Sequence, residues 1–134
     1  MGADNNVGTI RSIYTAFEQG DVPAILDTLS EDIDWATETS SIAAPWYGVR
    51  HGKDEVASFF EQFDSTMEVE EFTPVTFAVS DSDVLTVVRM RAHNRATGKM
   101  VAMNLHHQFT FRNGKITYHR SAEDTAQVEA AFKE

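Results

Sequence analysis

The sequence has no cysteine, only three prolines and few basic residues, with 11 lysines and arginines against 21 aspartates and glutamates among its 134 residues. The lack of cysteine excludes disulfides, cysteine-ligated zinc and a thiol nucleophile. The net charge of −10 disfavours nucleic-acid binding, because that role depends on neutralising phosphates with lysine and arginine, and it disfavours docking on anionic membranes. No apolar run reaches the ~18 residues of a membrane-spanning helix. We therefore expect a cytoplasmic protein with a single domain over residues 1–134.

The spacing of apolar residues changes along the chain from helical to alternating. Helical spacing predicts helices over 7–19, from Asp21 onward, from 52 onward and over 125–132. Alternation predicts strands over 33–38, 69–80, 84–94, 100–112 and 115–123, and the pair Asn113-Gly114 is typical of a hairpin turn. Residues 39–50 are predicted to be a loop. Helices followed by consecutive strands indicate an α+β fold.

The predicted architecture is three N-terminal helices packed on a strongly curved, mostly antiparallel sheet, which is a cone-shaped, cystatin-like α+β roll. The open end of such a cone is a natural pocket for a small-molecule ligand. The outer face of the sheet mixes Leu85 and Val87 with charged residues. A half-apolar outer face suggests a partner surface, so we expect a homodimer through this face.

Two adjacent histidines on the strand over 100–112 must point to opposite faces of the sheet. His107 shares its face with the apolar residues of that strand, so it should face the helices while His106 faces outward. An inward histidine is either an acid/base or hydrogen-bond donor in a dry pocket, or a core residue satisfied by a carbonyl. Because the two rings diverge, they cannot chelate one ion, and we expect neither a metal nor a cofactor.

The end of the last strand offers further candidates. Asp124 is either a catalytic carboxylate beside His107 or the N-cap of the tail helix, and Glu123 is expected to be a solvated charge at the sheet edge. Either His119 and Ser121 or the residues alternating with them face inward. The candidate substrate-binding residues are Tyr14, Trp35, Trp46, Tyr47, Met90, Asn94, His119 and Ser121.

Several short motifs occur in a characteristic order. They are residues 17–21 (FEQGD), 29–35 (LSEDIDW), 48–60 (GVRHGKDEVASFF) and 107–116 (HQFTFRNGKI), followed by Asp124-Thr125. Together the chain resembles the nuclear-transport-factor-two-like superfamily, in its SnoaL-type polyketide cyclase and ketosteroid-isomerase-related branch. The resemblance extends over nearly the whole chain. Since this superfamily includes isomerases, cyclases, dehydratases, hydrolases and binding-only members, it implies a fold more than a reaction.

The resemblance also implies roles for individual positions. It places His107 where ketosteroid isomerases have the protonated aspartate of their oxyanion hole and where SnoaL-type cyclases have a pocket histidine. It places Thr37 at the isomerase base, Ile13 at its oxyanion tyrosine, with Tyr14 next to it, and Ser121 at the cyclase aspartate. Neither constellation is complete. We predict a small-molecule-binding protein that performs proton transfer on a mostly apolar substrate as an isomerase, cyclase or dehydratase. The alternatives are a non-catalytic ligand-binding or accessory protein and a structural dimerisation module.

Overall fold

Residues 2–133, which the computed structural model describes, form four helices and six strands. The helices are α1 (Gly2–Glu18), α2 (Val22–Leu26), α3 (Lys53–Thr66) and α4 (Thr125–Phe132). The strands are β1 (Leu29–Thr37), β2 (Gly48–His51), β3 (Met67–Ser80), β4 (Asp83–Asn94), β5 (Met100–Arg112) and β6 (Lys115–Ala122). No helix within this part of the chain is long and apolar enough to cross a membrane.

The strands form one sheet in the order β2-β1-β6-β5-β4-β3. Strand β1 runs parallel to β6, and all other neighbours are antiparallel. Strand β3 shifts register against β4 at two places, between Val69 and Glu71 and between Pro74 and Thr76. Bulges of this kind bend a strand and increase its twist, so the sheet curves around the helices that cover its inner face.

The inner face is read from the alternating burial of the strands. Strand β4 buries its even-numbered residues from Val84 to Asn94, and β5 buries its odd-numbered residues on both sides of His107. On β6 the inward pair is His119, which is 3% exposed, and Ser121, which is 7% exposed. Of the two inward sets that the sequence allowed on this strand, the structure therefore has the one with His119 and Ser121.

The α+β prediction is confirmed, and the predicted strands that correspond to β3–β6 end within two residues of the observed ones. The strand predicted over 33–38, between the second and third helices, corresponds to β1, which begins four residues earlier, at Leu29. Strand β2 lies in the segment predicted to be a loop. It has only four residues, none fully buried, so its pairing with β1 rather than its own apolar pattern makes it a strand.

Candidate functional site

A cavity of about 70 Å³ lies between the inner face of the sheet and helices α1 and α3. Its wall is mostly aromatic and aliphatic. The polar or titratable side chains in the wall are Tyr14, Thr37, His107, His119, Ser121 and Glu123. The wall therefore combines apolar packing with a few polar groups, the composition that is typical of small-molecule sites.

A chain of hydrogen bonds links α1 to the sheet at the cavity wall. The Tyr14 hydroxyl lies 2.5 Å from Thr86 Oγ1 and 2.8 Å from His107 Nδ1. Tyr14 and Thr86 are almost fully buried, at 4% and 3% exposed. The position one residue before Tyr14 is the one that the resemblance assigned to a tyrosine. Tyr14 nevertheless reaches His107 from the next position on the helix.

Which groups donate in this chain of hydrogen bonds follows from the number of protons available, since the Tyr14 hydroxyl can donate only one hydrogen bond. If Thr86 donates to Tyr14 and Tyr14 donates to His107 Nδ1, both hydroxyl protons have acceptors. The reverse order leaves the Thr86 hydroxyl without an acceptor among residues 2–133. We therefore assign the first order, in which the neutral His107 ring carries its proton on Nε2.

The second histidine in the wall, His119, is fixed by aromatic packing and one hydrogen bond. Its ring stacks on Phe109 at 4.4 Å and contacts Trp35 at 4.1 Å between centroids. Its Nδ1 lies 3.1 Å from the Gln108 carbonyl oxygen, to which it donates. The rings of His107 and His119 are 5.2 Å apart between centroids and nearly perpendicular.

Both cavity histidines are held in their neutral form. Burial, followed by the nearby His106, lowers the pKa of His107 to about 3. Burial and then the neighbouring His107 lower the pKa of His119 well below its ordinary value. At neutral pH the two rings are therefore hydrogen-bonding groups without charge, and His107 is a weak base.

Glu123 is a wall residue that the sequence did not identify. It follows β6 directly and is partly buried, so the expectation of a solvated edge charge is wrong. The Tyr47 hydroxyl donates to its Oε2 at 2.8 Å. Burial raises the pKa of Glu123, although hydrogen bonds from Tyr47 and Trp46 oppose the rise. The alternation of inward residues at 119 and 121 continues to 123, and this was the signal that could have found it.

Several predicted substrate-binding residues do meet at the cavity. Tyr14, Trp35, Trp46, Met90, His119 and Ser121 all line it together with His107. Tyr47 is buried but does not line the cavity; it contacts the wall by donating a hydrogen bond to Glu123. Trp46 closes one side, where its ring packs edge-on against Phe63 with centroids 5.0 Å apart.

Asp124 and Asn94 are not brought to the cavity. Asp124 is exposed and caps α4, since its carboxylate accepts from the Gln127 backbone N–H at 3.2 Å. Hydrogen bonds from Gln127 also lower the pKa of Asp124. Asn94 is buried, and its Oδ1 accepts from the backbone N–H groups of Ala96 and Thr97 in the turn before β5. The predicted pairing of Asp124 with His107 is therefore not formed, and Asn94, the last residue of β4, holds the turn that follows the strand.

Comparison with known proteins agrees with this geometry. The sequence model described as the SnoaL-like domain matches residues 10–119. The chain belongs to the SnoaL-like domain family. No protein of curated function matches its sequence.

Solved structures share the fold of this SnoaL-like protein along nearly its full length. An NTF2-like protein of unknown function from Burkholderia pseudomallei is 25% identical, with a TM-score of 0.89 over 97% of this chain and 98% of that chain. A candidate polyketide cyclase from Xanthomonas campestris is 17% identical, with a TM-score of 0.81 over 99% and 100% of the two chains. A candidate isomerase from Bacillus subtilis is also 17% identical, with a TM-score of 0.84 over 98% and 95%. The resemblance to the nuclear-transport-factor-two-like superfamily is thus confirmed.

Proposed function

We propose that this SnoaL-like protein binds a small, mostly apolar organic molecule in its cavity and catalyses proton transfer on it without a cofactor. The reaction class is that of an isomerase, cyclase or dehydratase. The observation that carries the proposal is the hydrogen-bonded chain from Thr86 through Tyr14 to His107, which ends in the wall of an apolar cavity.

His107 acts in this proposal as a hydrogen-bond donor through Nε2–H. Because burial lowers its pKa to about 3, its free imidazole is poorly suited to remove a proton at neutral pH. In this proposal the proton passes from the substrate to the carboxylate of Glu123, which also lines the cavity, and returns from there to the product. A neutral N–H donor fixed by a buried tyrosine is well suited to stabilise an oxygen that gains negative charge, as in an enolate. The substrate must then carry an acceptor oxygen, such as a carbonyl, at the point where it meets His107.

The size of the cavity indicates how a substrate would be accommodated. Pockets for organic ligands have volumes of roughly 300–1,000 Å³, whereas this cavity has about 70 Å³. Four phenylalanines, Phe17, Phe60, Phe63 and Phe72, line both the cavity and a neighbouring groove of about 690 Å³. Phe17 contacts the other three rings at centroid distances of 4.5–6.1 Å. Displacement of Phe17 into the groove would join the two spaces.

The proposal is tested with His107→Asn, which keeps a polar group near Tyr14 but has no donor at the Nε2 position. The matched control is His106→Asn on the opposite face of β5, where the side chain is exposed. A library of small carbonyl compounds is screened by thermal shift, and the compounds that bind are tested for turnover. We expect binding to weaken in the His107 variant alone, and turnover to fall about 10²–10³-fold, as for loss of one oxyanion donor. Equal binding and turnover in both variants would remove His107 from the function.

We further propose that the protein is a homodimer formed through the outer face of the sheet. Leu85 on β4 is 45% exposed and points outward, because the residues on either side of it, Val84 and Thr86, are buried on the inner face. The same sheet carries charges of both signs, including Arg120 bonded to Asp34 at 3.0 Å. A surface with both signs of charge can be complementary to a second copy of itself across a two-fold axis. Sedimentation equilibrium should give a dimer for the native chain and a monomer for Leu85→Arg; a native monomer at micromolar concentration contradicts the proposal.

A further inference from the structure

Glu123, the base of the proposed proton transfer, also gives the cavity a negative charge that can select the ligand. Among residues 2–133 it is the only carboxylate in the wall, and the wall contains no lysine or arginine. Ser121, two residues earlier, pairs directly with His107 across β5 and β6. Diagonal neighbours on one face of a sheet lie about 7–8 Å apart. Glu123 and His107 are therefore within the span of one small molecule.

The Glu123 carboxylate is held in place but not saturated. Tyr47 donates to Oε2 at 2.8 Å. A carboxylate has about four acceptor sites, so this donor leaves acceptor capacity toward the cavity. Tyr47 is itself fixed because its ring packs against Trp46, with centroids 5.5 Å apart.

The environment of Glu123 favours a cationic partner. A buried anion without a neighbouring cation is costly, and burial raises the pKa of this carboxyl group accordingly. A ligand with a positive charge would relieve that cost by pairing with it. A carboxylate or phosphate ligand would instead meet like charge in a cavity that holds no basic side chain within the described wall.

The groove beside the cavity carries the same sign of charge. It shares the four phenylalanines with the cavity, and its other lining includes six acidic residues, namely Glu18, Glu61, Asp64, Glu68, Glu70 and Glu71. Arg95 bonds to Asp64 and Glu68 at 3.5 and 3.3 Å, and Arg91 bonds to Glu70 at 3.3 Å, so within residues 2–133 the six acidic residues face only these two arginines. A negatively charged cleft raises the local concentration of cations and repels anions.

We infer that the ligand is an apolar organic amine, protonated at neutral pH, whose ammonium group pairs with Glu123 while an acceptor oxygen meets His107. The inference rests on the proposed function for the His107 contact. It specifies the chemical class of the ligand, and it identifies Glu123 as the residue that selects a cationic ligand. A purely structural Glu123, which only anchors Tyr47, would need an acceptor but no charge.

The test uses three probes that share a 4-methoxyphenyl ring and carry a positive, a neutral and a negative group: 4-methoxybenzylamine, 4-methoxybenzyl alcohol and 4-methoxybenzoate. Their affinities are measured by calorimetry for the native protein, for Glu123→Gln and for Glu129→Gln. Gln keeps an acceptor for Tyr47 but removes the charge. Glu129 is a matched control, because it is an exposed carboxylate on α4 that bonds to Ser41 rather than to the cavity.

We expect the native protein and Glu129→Gln to bind the amine at least tenfold more tightly than the alcohol, and the benzoate most weakly. Glu123→Gln should lose the preference for the amine and retain the affinity for the alcohol. The inference is overturned if the amine does not bind, if the benzoate binds as tightly as the amine, or if Glu123→Gln keeps the preference. Alcohol binding that depends on His107 would leave the proposed function standing in each of those cases.

Discussion

Lowering the pH from 7 to 5 should destabilise this protein through the two histidines of its cavity. The pKa of His107 is lowered from its ordinary value near 6.5 to about 3 by burial. Between these values the unfolded chain binds a proton that the folded chain does not bind. The free energy of unfolding is therefore largest above about pH 6.5 and falls as the pH is lowered toward 3.

The size of the effect follows from this difference in proton binding. One histidine with these two pKa values loses about 2 kcal/mol of stability between pH 7 and pH 5. The pKa of His119 is lowered as well, so protonation of the unfolded chain at this residue adds to the loss. The raised pKa of Glu123 acts in the opposite direction, because the folded state then binds the additional proton. The loss from His107 alone, about 2 kcal/mol, is already large against a typical stability of about 5–15 kcal/mol.

Urea denaturation at pH 7, 6 and 5 measures this dependence for the native chain, His107→Asn and His106→Asn. Between pH 7 and pH 5, the free energy of unfolding of His107→Asn should fall by about 2 kcal/mol less than that of the native chain. For His106→Asn, which changes an exposed residue, the fall should be close to that of the native chain. Parallel pH curves for the native chain and His107→Asn would refute the reasoning, because they would mean that the His107 ring is free to take up a proton in the folded state.

Two further predictions concern the hydrogen-bonded chain and the α4 cap. Tyr14→Phe leaves the Thr86 hydroxyl and His107 Nδ1 without their hydrogen-bond partner. We therefore expect the free energy of unfolding, measured by urea denaturation at pH 7, to fall by about 2–4 kcal/mol. A fall below about 0.5 kcal/mol would contradict the hydrogen-bonded chain. Asp124→Ala removes the N-cap of α4 and should cost about 1 kcal/mol with no change in affinity for 4-methoxybenzyl alcohol. Weaker binding of the alcohol by Asp124→Ala would indicate that Asp124 belongs to the ligand site after all.

Much of the sheet could be predicted because its strands carry a regular signal. The alternation along β4 and β5 separates buried from exposed residues almost without exception. Asn113 and Gly114 both have positive φ values, 52° and 78°, as the predicted hairpin turn requires. The inward position of His107 followed from the same alternation, because it depends only on the residues two positions away on its own strand.

The partners of the cavity residues could not be predicted from local patterns. Tyr14 and His107 are separated by 93 positions, and periodicity gives the face of an element but not what it meets. Glu123 and Asp124 show the difficulty at the smallest scale. Glu123 continues the inward alternation of β6, whereas Asp124 begins α4, so the neighbouring carboxylates have opposite environments. Only the exact end of the strand distinguishes them, and strand ends are poorly marked in sequence.

The parallel pairing of β1 with β6 makes the last strand the link between two parts of the sheet. Without β6, the remaining strands are a β2-β1 hairpin and a separate β5-β4-β3 meander. Asp34 on β1 pairs with Tyr118 on β6. During synthesis, β1 can therefore pair with β6 only after nearly the whole chain has been made. Contacts of such long sequence separation slow folding and leave apolar surface exposed in intermediates. Truncation before residue 115 should therefore yield a chain that associates or is degraded rather than a smaller folded domain.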